Sequence, residues 1–197
     1  PLVYWIHGKT GTGKTRCSVE FAESKNWDYW ISHGTLQWFD GYKDQKVAIL
    51  DDLRSNHAKF SFLLRLLDRY KFTVPIKGAF VKWTADVIII TSPYDPATMW
   101  SLRNDEDKRQ LVRRCTRIWD MGDGQPDILG WFREDDNSRR MESARQLVER
   151  EADLNNLATA AADAANLQCN SDLDDLDEDS PQESSDEESV YDWITPK

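Results

Sequence analysis

Cysteine is scarce in this chain, with Cys17, Cys115 and Cys169 the three among 197 residues. They show neither Cys-x-x-Cys spacing nor an even number to pair. Free thiols in a reducing compartment fit them better than a disulfide frame or a zinc site. No apolar run approaches the roughly twenty residues a membrane-spanning helix needs, and no signal-peptide pattern is present. Internal repeats are also lacking. The first residue is Pro1 rather than methionine, almost inside a strand, so the chain reads as a piece of something longer.

Positive charge is missing overall, since the net charge is −10. The deficit is local. Asn170 to Lys197 holds eleven carboxylates against one lysine, whereas residues 1–133 hold twenty Lys and Arg against sixteen Asp and Glu. A mildly basic body with an acidic tail is compatible with a nucleic-acid partner, which the total charge argues against. Tryptophan is plentiful at nine, most of it in the first 133 residues, so a large core is expected there.

The stretch that organises the chain is Gly8-Lys9-Thr10-Gly11-Thr12-Gly13-Lys14-Thr15, directly after the apolar run Leu2–Ile6. Glycine, four residues, then Gly-Lys-Thr between a strand and a helix is the phosphate-binding loop pattern. Its glycines let backbone N–H groups approach an anion, helped by the positive end of the helix that starts near Lys14. Lys14 is expected to reach the β- and γ-phosphates and the Thr15 hydroxyl to hold Mg²⁺. The plainer reading, a glycine turn, explains neither the lysine nor the threonine.

Downstream, Lys14 to about Ser24 reads as a helix, Tyr29-Trp30-Ile31 as a short strand, and Trp38–Tyr42 as an aromatic cluster around an Asp-Gly turn. Val47–Leu50 reads as a parallel strand buried on both faces, ending in Asp51-Asp52 where ligands bind in open α/β sheets. This is a Walker B arrangement: Asp51 is expected to help hold Mg²⁺, and Asp52 to orient or deprotonate the attacking water. His57–Tyr70 carries an apolar stripe at helical spacing. Phe72 to Trp83 reads as a hairpin with Lys77 at its tip and Lys82 on its second strand. An exposed lysine at a turn is often only solvated. Val87–Ser92 is a further buried strand ending in hydroxyls, with Pro93 and Pro96 breaking the chain beyond it. Asp105–Arg114 reads as a helix, then Thr116–Trp119 as a strand. Arg113 and Arg114 either complement that helix end or face a neighbour's nucleotide.

The expected class is therefore α/β, a P-loop NTPase with a parallel sheet flanked by helices. Its domain is expected over 1–122, a linker at 123–140 marked by Pro126 and Gly130, and a helix at 141–168. Residues 169–197 are expected to form a disordered acidic tail.

In their order, the Walker A loop, the Trp38–Tyr42 segment, Val47–Asp52, Leu64–Tyr70, the hairpin through Lys77-Gly78, Ile90-Thr91-Ser92 and Arg113-Arg114 form a series. The series resembles the superfamily 3 helicase domain of replication initiator (Rep) proteins from circular single-stranded DNA viruses, the circovirus-like group. The resemblance runs from about Pro1 to Gly122. It implies an AAA+-like fold, ATP and Mg²⁺ as cofactors, and a homo-hexameric ring around single-stranded DNA. It further implies an arginine finger in trans from Arg113 or Arg114, DNA contacts from Lys77 and Lys82, 3′-to-5′ polarity, and action in the host nucleus. No membrane partner is expected, and the tail is a possible site for a host factor.

Two departures stand out. Where this family's third motif usually ends in asparagine, the chain has Pro93, so the sensor role is expected to pass to Ser92 or Thr91, or to be lost. Full-length initiators also carry a nicking domain with a His-hydrophobic-His motif and a catalytic tyrosine. His7, His33 and His57 do not have that spacing, so nicking is expected from residues outside this chain. The rival expectations are a P-loop nucleotide kinase and an ATP-binding assembly module with little hydrolysis.

Overall fold

The computed structural model describes residues 1–70 and 72–174. The chain divides into two units, Pro1–Met141 and Glu142–Lys197. The first is built on five parallel strands in the order β2-β3-β6-β1-β7. These are β1 (Leu2–His7), β2 (Tyr29–Ile31), β3 (Val47–Leu50), β6 (Val87–Ser92) and β7 (Arg117–Asp120). Strands β4 (Phe72–Ile76) and β5 (Ala79–Trp83) form a separate antiparallel hairpin.

Both faces of the sheet are covered, which is why the central strands are apolar throughout. Side chains alternate sides along a strand. Leu2, Tyr4 and Ile6 of β1, Val47 and Ile49 of β3, and Val87 and Ile89 of β6 pack with α1 (Lys14–Ser24) through Cys17, Phe21 and Ala22. Val3, Trp5, Ala48, Leu50, Ile88 and Ile90 turn the other way. There they meet α2 (Phe60–Leu66), the hairpin, and Leu111 of α4 (Asp105–Val112). Each fully buried Ile or Val contributes about 1.5–3 kcal/mol relative to exposure.

The aromatic segment anchors the hairpin. Phe39 and Tyr42 are buried, and Trp30 stacks on Phe39 with ring centroids 5.2 Å apart. Trp83 meets Tyr42 at 4.7 Å and satisfies its indole N–H on the Leu66 carbonyl at 2.9 Å. Between β6 and α4, the short helix α3 (Pro96–Met99) has Asp95 as its cap, accepting from the Ala97 N–H, with proline in the first turn where its missing N–H costs nothing.

One boundary differs from expectation. Helix α5 runs Ile128–Asp174, so it begins inside the stretch read as a linker and ends beyond residue 168. Asp127 caps its first turn, its carboxylate accepting from the Gly130 N–H at 2.8 Å. Gly130 is thus no breaker; a Cβ there would collide with that carboxylate. Ile128 and Phe132 are buried against the α1 side of the sheet, and Arg117 of β7 holds Asp135 through two 2.9 Å bonds. That packing carries the first unit past 122. In the second unit, Leu147, Val148, Leu154 and Leu157 of α5 are exposed. The expected acidic tail lies, from residue 175 on, outside the described residues. Among those described, no helix is long and apolar enough to cross a membrane.

Candidate functional site

The loop after β1 turns into α1 through Gly13, which caps the helix at φ +90°, a conformation that side-chain-bearing residues rarely adopt. At Gly8 the constraint is space as well as φ, since a Cβ would stand 3.0 Å from the Met121 Cβ. The Lys14 ammonium folds over the loop, donating to the carbonyls of Gly8 (2.7 Å) and Lys9 (2.8 Å). The Thr12 hydroxyl donates to the Lys9 carbonyl at 2.9 Å. Gln125, which the sequence reading did not single out, donates from Nε2 to the Thr12 carbonyl at 3.2 Å.

Strands β1, β6 and β3 are neighbours, so their carboxyl ends line up beside this loop. Asp51 follows β3 in phase with Val47 and Ile49, on the α1 face, and Thr91 follows Val87 and Ile89 on the same face. The Asp51 Oδ1 accepts from the Thr15 hydroxyl at 2.6 Å and from the Thr91 hydroxyl at 2.8 Å. Ser32 fixes the turn below by accepting from the Asp51 N–H at 2.9 Å. Thr15 and Asp51 together offer the hard oxygen donors that Mg²⁺ takes, few enough to leave room for phosphate oxygens and water.

Asp52 turns out of the strand at φ +47°. Its N–H donates to the Thr91 hydroxyl at 2.8 Å, and its carboxylate is paired with Arg54, closest at 3.1 Å. Thr10, Gly11, the run Gly13–Arg16, Asp51, Asp52, Arg54 and Thr91 surround an open cleft of about 410 Å³. Arg54 was missed because an arginine two residues past an acidic pair has no signature of its own.

Ser92 is a correction. Expected as a catalytic residue, it points to the opposite face from Thr91. Its buried hydroxyl donates to the Leu53 carbonyl at 2.9 Å and accepts from the Tyr94 N–H at 3.1 Å. Its hydroxyl does not line the cleft, whereas Thr91 does, and only the Ser92 backbone meets the loop, the carbonyl accepting from the Gly8 N–H at 3.2 Å.

Arg113 and Arg114 lie away from the P-loop. The Thr116 N–H donates to the Val3 carbonyl at 2.7 Å, which fixes the start of β7 beside the start of β1. The loop leaves β1 at its other end, and six residues at about 3.3 Å each separate the two edges by roughly 20 Å. Neither arginine can reach the chain's own loop. Arg114 is engaged locally, donating to Asp68 Oδ2 at 3.0 Å and to the Gln110 carbonyl at 2.8 Å. Burial raises the Asp68 pKa, but the Arg114 hydrogen bond and the Arg69 N–H outweigh it and hold the carboxyl below its ordinary value. Arg113 is exposed, and among the described residues it has no ion-pair partner. Both line a cavity of about 560 Å³ with Asp68, Arg69 and Tyr70.

At the hairpin tip, Asp40 holds Lys77 twice: its Oδ1 accepts from the backbone N–H at 2.8 Å, and Oδ2 lies 3.4 Å from Nζ. The Lys77 N–H is the chief reason the Asp40 carboxyl stays below its usual value. Lys82 is exposed on β5 opposite Thr73.

The fold and the cleft define a P-loop NTPase-like α/β domain. Residues 4–93 match a family model described as RNA helicase. The chain is 41% identical over 114 residues to the replication-associated protein of beak and feather disease virus, a match covering 58% of this chain and 37% of that protein. It is 42% identical over 128 residues to the replication-associated protein of pigeon circovirus, covering 63% and 38%. A replication protein of onion yellows phytoplasma (strain OY-M) is 35% identical over 115 residues, covering 56% and 30%. The chain thus spans well under half the length of these relatives. Together the matches support a Rep-like superfamily 3 helicase domain.

Proposed function

We propose that this chain is the motor of a viral rolling-circle replication initiator, binding ATP with Mg²⁺, hydrolysing it, and coupling turnover to movement along single-stranded DNA in the host nucleus. The observation that supports it most is the meeting of Thr15, Asp51 and Thr91 on one carboxylate oxygen beside the P-loop. Three segments far apart in sequence converge where a triphosphate fits.

Lys14 moves its ammonium from two loop carbonyls to the phosphates, exchanging neutral acceptors for charged ones. Magnesium, when bound, neutralises charge building on the β- and γ-phosphate oxygens. Thr15 and Asp51 would hold it. Asp52 orients the water and accepts its proton as the terminal phosphate separates from ADP. Since Arg113 lies at the far edge of the sheet, the geometry suits delivery to a neighbour's nucleotide in a ring of six copies, with Arg114 braced on Asp68. Lys77 and Lys82 meet DNA phosphates without reading sequence. Nicking belongs to a separate part of the initiator, and the acidic tail is where a host factor would bind.

ATP-driven unwinding of a duplex with a 3′ single-stranded tail tests this reading. Strand separation by the native chain and none by Lys14→Ala is the expected result; no separation at saturating ATP and protein would contradict it. Two observations favour a second reading, an ATP-binding assembly module with little hydrolysis: Asp52 is paired with Arg54, and proline stands at position 93.

A further inference from the structure

Phe80 is 74% exposed, on a hairpin whose other large apolar side chains turn inward. Its exposure follows from the register. Val74 pairs with Val81 on the covered face, whereas Thr73–Lys82 and Pro75–Phe80 pair on the open one. Phe80 therefore shares an open surface with Lys82, two residues and about 6.8 Å along the strand. Lys77 stands at the turn beyond it, its side chain 78% exposed. Past Lys82, a cavity of about 480 Å³ is lined by Phe72, Thr73 and Trp83, with the Arg65 guanidinium 4.5 Å from the Phe72 ring centroid. Cation, aromatic face and cation thus follow one another along the open face of the hairpin, while Arg65 sits over Phe72 on the covered face at its base. Two carboxylates touch this surface: Asp40 at Lys77 and Asp44 at Thr84. Among the described residues neither bonds to Phe80 or Lys82.

We infer that Phe80 is a base-stacking residue for single-stranded nucleic acid, with a nucleobase on its ring and the flanking phosphates on Lys77 and Lys82. A flat, exposed ring between lysines matches the alternation of base and phosphate. Stacking tolerates any base, as a motor moving along arbitrary sequence requires. The inference rests on the reading of the hairpin as the DNA contact and adds to it a contact that is not electrostatic.

That difference supplies the test. Affinity of the full chain for oligodeoxythymidine carrying one 2-aminopurine is measured across a salt titration for the native chain, Phe80→Leu, Phe80→Ile, Phe80→Tyr and Lys77→Ala. The Leu and Ile variants should bind about tenfold more weakly at every salt concentration and lose the 2-aminopurine quench, while Phe80→Tyr retains both. Their slope of log affinity against log salt should match the native one, whereas Lys77→Ala should reduce it by about 0.7. Native affinity and quench in the Leu and Ile variants, with a reduced slope for Lys77→Ala, would remove Phe80 from the DNA path and keep the hairpin on it. An unchanged slope for Lys77→Ala would remove the hairpin as well. Weaker binding accompanied by loss of assembly in sedimentation would make Phe80 a contact between copies and overturn the inference.

Discussion

The Thr15 hydroxyl donates to Asp51 Oδ1 across 2.6 Å, joining the start of α1 to the turn after β3. Thr91 reaches the same oxygen from the strand between them. The interposition of β6 between β1 and β3 puts all three groups on one side of the sheet, at its carboxyl edge.

The two hydroxyls at the end of β6 should behave differently. Thr91→Val removes the bond to Asp51 and the acceptor for the Asp52 N–H, and should slow turnover by at least about tenfold. Ser92→Ala leaves the Leu53 carbonyl and Tyr94 N–H unpaired in the core, costing about 1–3 kcal/mol of stability. Thermal melts and steady-state hydrolysis, run on both variants, separate the roles; a melt shift for Thr91→Val alone with normal turnover would reverse the assignment.

Sequence alone could not make that distinction. Val87–Ile90 is apolar on both faces, so no polar residue gives the strand its phase; only packing against α1 distinguishes Thr91 from Ser92. Helix α1 and the hairpin were legible because glycines or an apolar stripe mark them locally. The start of α5 was hidden because Pro126 and Gly130 look like breakers, although Asp127 between them is a capping residue. Gln125 and Asp40 act through partners distant in sequence, and Arg54, though beside the Walker B pair, is an arginine with no signature of its own.

Lys14→Ala should weaken ATP binding by roughly 10- to 150-fold, the loss of charge-assisted hydrogen bonds to phosphate. Titration with a fluorescent ATP analogue measures it. Binding within a factor of two of native would mean that the loop holds phosphate mainly through its backbone.

Arg113 should act on a neighbouring copy. Arg113→Ala and Asp52→Asn chains, each inactive alone, should regain hydrolysis when mixed, because a mixed interface joins an intact arginine to an intact carboxylate. A trans arginine is worth about 10³–10⁵ in rate in other P-loop enzymes, so even partial rescue is measurable. No rescue at any ratio, with assembly verified by sedimentation, would confine Arg113 to its own subunit.

The Asp40 anchor gives the hairpin tip a pH dependence. Its carboxyl is held below the ordinary value, so the anchor is at full strength above the unfolded pKa near 3.9 and is lost as pH falls through the lower folded value. The difference in melting temperature between the native chain and Asp40→Ala should therefore be largest near neutrality and shrink toward pH 3. A gap that widens on acidification would contradict the sign of the shift.

The most direct test of the motor is steady-state ATP hydrolysis with and without single-stranded oligonucleotide, run alongside Asp52→Asn. The native chain should turn over Mg-ATP and accelerate when DNA is added, while Asp52→Asn still binds ATP but stays at background. Hydrolysis at background with DNA present, or a rate indifferent to DNA, would contradict the account.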